Sequence, residues 1–266
     1  MTKKKEYVLI LGVSSGFGKA IATAYASEGY DVYGVHLDLG AAKAKVDEFR
    51  TSIEKSYGIN AMFFNGNAAD DGKRNEVINH IHKEESKHKM RAMIHSMAFG
   101  ALKPFIAKDK NDMLSKKQVE MTMDVMANSL VYWAQDCFTA NMFAENSKIF
   151  AMTSIGSTRA TVSYGAVSAA KAALESYIRQ LAVELGPYKI SSNAILAGVT
   201  DTPAARKIPG FESMFARTKD YNPFKENTTP ELVAKAVLML TSPDYYFING
   251  QTIAVDGGEN ILNFAE

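Results

Sequence analysis

Seven apolar runs of strand length recur along the chain, and a stretch of helical periodicity lies between each run and the next. "YVLILG" (7–12) is apolar without alternation, which suits a strand buried on both faces. "DVYGVHL", "NAMFFNGN", "RAMIHSM", "SKIFAMTS", "ISSNAILAG" and "GQTIAVDGG" follow as further strands. Helices are expected over 18–29, 41–57, "GKRNEVINHIHKEESK", 116–145, the segment around Lys171, and 230–241. Strands joined through helices cross back over the sheet, so they run parallel and need cover on both faces. No internal repeat, low-complexity tract or proline-rich linker divides the 266 residues, so a single α/β domain is expected over 1–266. The longest stretch without regular structure, 199–229, carries Pro203, Pro209 and Pro223. A loop of that length in a compact domain is usually functional, and this one is a candidate substrate lid.

Composition narrows the partners. A formal net charge of +1 leaves no basic face for a phosphate backbone, so no nucleic-acid partner is expected. The one cysteine, Cys137, excludes an internal disulfide and a multi-cysteine metal site, and suits a reducing compartment. No segment reaches the roughly 18 apolar residues of a spanning helix, and "MTKKKEYVLILGVSSG" lacks a cleavage pattern. No membrane contact and a cytoplasmic location are the expectations. His80, His82 and His88 stand in a charged helix and read as a solvated face, so no metal is expected. His95, Trp133 and the Met-rich "MTMDVMAN" read as packing groups.

The turn between the first strand and the first helix, "LGVSSGFGKA", holds Gly12, Gly16 and Gly18. Gly12 permits a tight exit from the strand, and Gly16 lets backbone approach a pyrophosphate favoured by the helix N-terminus. Gly18 allows close helix-to-strand packing. In the first strand–turn–helix of a doubly wound pattern, these glycines predict dinucleotide binding and a Rossmann-like sheet. Ser14, Ser15 and Phe17 complete the turn.

Several motifs in order resemble the short-chain dehydrogenase/reductase superfamily: the G-x-x-x-G-x-G turn, "MIHSMAFG", Ser154, Tyr164, Lys171, "AGVTDT" and "GQTIAVDGG". "HSMAFG", with His95 and Ser96, and "GSTRATVSY" are similar to the divergent branch typified by bacterial enoyl-acyl-carrier-protein reductases. The resemblance implies NADH or NADPH as cofactor and an acyl thioester as substrate, with acyl carrier protein a candidate carrier. It also implies a homotetramer or homodimer. It assigns Asn67 and Ala68 to the adenine, and Ser96, Met97 and Ala98 to the back of the cofactor. Gly198, Val199 and Thr202 fall in the segment that grips the carboxamide, with Val199 where the family usually has proline.

Reducing a carbonyl or enoyl group with a nicotinamide requires a proton or hydrogen bond on the developing oxyanion. A phenol can supply it if a nearby cation lowers its pKa. Tyr164 and Lys171 are seven residues apart, nearly two helical turns, so they share a helix face; Ser154 ends the fifth strand. Lys171 would supply the cation and hold the nicotinamide ribose. Commoner ketoreductases place the acid four residues before the lysine, where this chain has Val167. Hydride attack on the β-carbon of an enoyl thioester leaves the oxygen three bonds away, so the acid has to move. The family resemblance agrees, because Tyr-x6-Lys is the enoyl reductase pattern. Met126 stands where the ketoreductase relay has asparagine, with Asn128 two residues out of register.

Asp38 lies twenty residues past Gly18, where an acid bonds the ribose 2′-hydroxyl and favours NADH. His36 is an alternative for that position, with Lys43 and Lys45 downstream. Phe99 and Gly100 after the fourth strand, with Ile208, Phe211 and Phe215 in the candidate lid, are expected to face substrate. Two other readings stay open: a ketoreductase or alcohol dehydrogenase, and a dinucleotide-binding sensor without turnover. An intact Ser154/Tyr164/Lys171 set counts against the sensor.

Overall fold

A computed structural model describes residues 6–85 and 88–262. The basic start of the chain and the end of the third helical stretch, 86–87, lie outside the described residues. Seven strands form one parallel sheet: β1 (Glu6–Leu11), β2 (Asp31–His36), β3 (Ala61–Asn65), β4 (Lys89–His95), β5 (Phe143–Thr153), β6 (Ile190–Ala197) and β7 (Thr252–Val255). Their spatial order is β3-β2-β1-β4-β5-β6-β7. The helices are α1 (Gly16–Ser27), α2 (Ala41–Tyr57), α3 (Asp71–Glu84), α4 (Lys116–Met123), α5 (Ser129–Thr139), α6 (Gly165–Leu185), α7 (Phe211–Tyr221) and α8 (Pro230–Leu240).

Two apolar clusters cover the sheet. Val8, Ile10, Ala92, Ile94 and Phe150 point to one face, against Ile21 and Tyr25 of α1, Phe49 of α2 and Val233 of α8. Leu9, Leu11, Met93 and Ile149 point to the other, against Val77 of α3, Trp133 of α5 and Leu174 of α6. Burial on both sides explains why these strands read as unbroken apolar runs. Strand order reverses beside β1, whose neighbours are β2 and β4, and a crevice opens there at the carboxyl ends of the strands.

Two segments differ from the sequence expectation. The helical region expected over 116–145 stops at Thr139, and Phe143–Asn146 belong to β5. Asn141 (φ 52°) and Asn146 (φ 58°) take left-handed conformations that end the helix and shift the β4–β5 register, leaving Phe143 beside Met90. Within that region, Asp124–Asn128 is a π-helical turn between α4 and α5. The stretch 199–229 is not a plain loop: it contains a 3-10 turn at Ala205–Lys207 and then α7. Gly210 (φ 78°) turns the chain into that helix, and Phe211 at its start is buried.

Candidate active site

The glycine turn is built by close backbone approaches. A Cβ on Gly12 (φ 90°) would lie 2.4 Å from the Ser96 carbonyl oxygen, and one on Gly18 would lie 2.0 Å from the Gly12 carbonyl oxygen. One on Gly16 (φ 51°) would meet the Thr202 methyl at 3.2 Å. Ser15 caps α1 without a side-chain hydrogen bond, and the first turn holds no acidic residue. The positive end of the helix therefore faces the crevice, as an anion site requires.

Around this turn lies a cavity lined by Gly12, Ser14, Ser15, Gly16, Phe17, His36, Asp38, Asn67, Ala68, Ser96, Met97, Ala98 and Thr202. Its lining brings together the groups that a dinucleotide site uses: glycine backbone, a helix N-terminus and a carboxylate. His36 and Asp38 form one unit, with His36 Nδ1 2.9 Å from Asp38 Oδ2. Asn65 pins that unit, accepting from Asp38 N at 3.1 Å and donating to Asp38 O at 2.8 Å. Gly18, expected to bind the cofactor, is not in the lining of this cavity; it packs α1 against the turn.

A second cavity, about 260 Å³, shares Phe17, Ser96, Met97, Ala98, Phe99 and Thr202 with the first, so the two adjoin. Ser154, Tyr164 and Lys171 all line it, as do Gly198, Val199, Phe99, Gly100, Ile208 and Phe211. Phe215 does not: it stacks on Phe211 with ring centroids 5.5 Å apart, and Met214 takes the lining position instead. The helical periodicity of 208–215 located the face, and one turn of α7 decided which residues of that face look inward.

Tyr164 caps α6 rather than lying within it, presented by Ser163 in a left-handed conformation (φ 61°). Burial pushes its phenol above the ordinary pKa, and the neighbouring Ser154 hydroxyl opposes that shift. Ser154 Oγ is itself buried and completes no hydrogen bond of ordinary geometry, so it stays available for one. Lys171, expected to act on the phenol as a cation, takes main-chain partners. Its Nζ donates instead to Met152 O at 2.7 Å and Met97 O at 3.3 Å. Burial lowers the lysine to about 8, with Glu175 opposing. Both groups thus carry their protons at neutral pH.

Val167 and Met126, at the ketoreductase acid and relay positions, both line the second cavity and crowd Gly100. A Cβ on Gly100 would meet Val167 at 2.7 Å and Met126 Sδ at 2.8 Å. Asn128 faces α6, accepting from Tyr177 Oη at 3.0 Å. His95 is fully buried, bonded to Ser129 Oγ at 2.8 Å and held neutral by desolvation, at about 3. The α3 histidines are not simply a solvated face. His80 packs edge-on against Phe64, and His88 lies beyond the helix, 2.7 Å from Glu85. No cluster of metal-ligating side chains forms among the described residues.

Of the cavity residues that the sequence does not single out, two are charged. Lys207 lines both cavities and Glu259 the second, and neither stands at a motif spacing that singles it out.

Residues 12–260 match the family model described as enoyl-(acyl carrier protein) reductase. The enoyl-(acyl-carrier-protein) reductase (NADH) of Aquifex aeolicus is 27% identical over 257 residues, 92% of each chain. The corresponding Neisseria meningitidis enzyme is 32% identical over 188 residues, 70% of this chain and 71% of that one. The Bacillus cereus enoyl-acyl carrier protein reductase, solved with NADP+ and an indole naphthyridinone, superposes with a TM-score of 0.87 at 23% identity, covering 98% of both chains. The chain belongs to the enoyl-(acyl carrier protein) reductase family.

Proposed function

We propose that this protein reduces the 2,3 double bond of an enoyl thioester in fatty acid synthesis, using NADH or NADPH, with the acyl group carried on acyl carrier protein. The observation that carries the reading is the apolar wall of Val167 and Met126 facing a cavity whose phenol, Tyr164, enters three residues earlier. A ketone-reducing arrangement would need its proton donor where Val167 stands.

When bound, the dinucleotide supplies a hydride. The glycine turn and the N-terminus of α1 hold its pyrophosphate, and Asp38, oriented by His36, accepts from the ribose 2′-hydroxyl and repels a 2′-phosphate. NADH is therefore the preferred form. As charge develops on the thioester oxygen, Tyr164 donates a hydrogen bond to it, and Ser154 Oγ adds a second. A phenol pushed above its ordinary pKa keeps its proton until that charge appears. The Lys171 ammonium, fixed by two main-chain carbonyls in the wall of the same cavity, would orient the ribose and the phenol. Ile208, Phe211 and Met214 cover the acyl chain and exclude water, so 205–221 acts as the lid. A cytoplasmic homotetramer or homodimer completes the proposal, on family resemblance.

The test mixes the protein with NADH or NADPH and either a crotonyl or an acetoacetyl thioester, and follows cofactor absorbance. Oxidation with the crotonyl substrate is expected. Oxidation with acetoacetyl alone would establish the ketoreductase reading, and silence with both would favour the sensor.

A further inference from the structure

We propose that Glu259 is a positioning residue for the cofactor segment: its carboxylate holds the Val199 amide and so fixes Gly198–Thr202 against the cavity. The inference rests on the cofactor reading given above. Val199 stands where the resembling family carries proline, a residue with no N–H. Val199 therefore brings a main-chain N–H into the wall of the second cavity, where an N–H without a partner is costly. Both Glu259 oxygens face it, at 3.0 and 3.3 Å from Val199 N. They also lie against the preceding residue, because a Cβ on Gly198 would come within 2.5 Å of Glu259 Oε2.

Glu259 is 9% exposed and forms no ion pair among the described residues, so this amide is its principal partner. The turn that carries it is tied on two further sides. Asp256 accepts from Gly258 N and Asn260 N at 2.9 and 2.8 Å, which shapes the turn. Asn222, at the end of α7, donates to Asp256 O at 2.8 Å. Arg159, in the loop before Tyr164, donates to Asn260 O at 2.8 Å. Glu259 thus joins the segment holding Thr202, which faces Gly16 of the glycine turn, to the lid and to the tyrosine loop. A carboxylate that directly follows the "GQTIAVDGG" stretch becomes the link among three parts of the site.

The test is a double-mutant cycle read by NADH and NADPH dissociation constants, from nucleotide fluorescence, and by amide exchange of the cofactor-free protein. Glu259→Ala frees the Val199 amide and is expected to weaken cofactor binding about tenfold, raising the KM for cofactor by a larger factor than it lowers kcat. Glu259→Gln, whose amide oxygen still accepts, is expected to bind within about threefold of the parent. In the Val199→Pro background no amide remains to hold, so adding Glu259→Ala is expected to change cofactor binding no further. Equal weakening in both backgrounds, or none in either, would overturn the proposal, the former by showing that the carboxylate acts on the ligand directly. Exchange at Val199 decides independently of cofactor: protection is expected in the parent and Glu259→Gln and lost in Glu259→Ala. A parent protein that binds neither nucleotide would remove the cofactor reading, while unchanged Val199 exchange would remove the link itself.

Discussion

Raising the pH from 7 toward 10 is expected to move activity and folding stability in opposite directions through one side chain, Lys171. Burial lowers its pKa from 10.5 to about 8. Below about 8 both the folded and the unfolded chain hold this proton, and the group adds no pH dependence. Between about 8 and 10.5 the unfolded chain keeps the proton while the folded protein has released it, so stability rises with pH. The interval is 10.5 less 8, and at ~1.4 kcal/mol per unit the gain is roughly 3 kcal/mol across it. Activity runs the other way, because deprotonation removes the charge that the proposed mechanism asks of Lys171. The kcat/KM of the free enzyme is expected to fall above pH ~8, toward tenfold per unit. The assay is urea unfolding of the cofactor-free protein and of Lys171→Met at steps from pH 7 to 10. Lys148, also lowered to about 8 by burial, is present in both and cancels in the difference. The carbonyls that Lys171→Met leaves unpaired cost the same at every pH. Parallel stability curves would refute the reasoning, since they would mean that Lys171 does not titrate in this range.

Three further outcomes follow from the same geometry. Tyr164→Phe is expected to lower kcat by about 10²–10⁴ while leaving cofactor affinity nearly unchanged; full turnover in the variant would remove the phenol from the chemistry. Gly18→Ala places a Cβ 2.0 Å from the Gly12 carbonyl oxygen, so unfolding measurements are expected to show a loss of at least ~1–3 kcal/mol. Cys137 is fully buried and its thiol is pushed up by that burial, so a thiol-exchange reagent is expected to leave the native protein unmodified and to label it on unfolding.

How much was legible in the chain depended on how local the cause was. β1 could be read from "YVLILG" because burial on both faces demands an unbroken apolar run. The glycine turn could be read because each glycine answers a steric need within a few residues of itself, and a Cβ on Gly18 would strike Gly12. Phe143–Asn146 could not be assigned to a strand, since "MFAEN" is equally good helix and only pairing of Phe143 with Met90 decides it. The helix α7 was partly legible: its apolar spacing was visible, but the prolines around it argued for a loop. Burial of Phe211 and the Gly210 turn settled the matter.

By itself the sequence determined the order of the seven strands and of most helices between them, and the identity of the chemistry-bearing groups, including a phenol seven residues from a lysine with valine between them. These are consequences of periodicity and spacing, which act over a turn or two of chain. Tertiary structure alone decided what those groups experience. Lys171 finds its hydrogen bonds at Met97 and Met152, 74 and 19 residues away, and its lowered pKa comes from desolvation that no neighbouring residue encodes. The carboxylate of Glu259 reaches the Val199 amide across 60 residues. Contacts of that separation exist only once the sheet has brought the carboxyl ends of its strands to one edge, so no local pattern could have announced them.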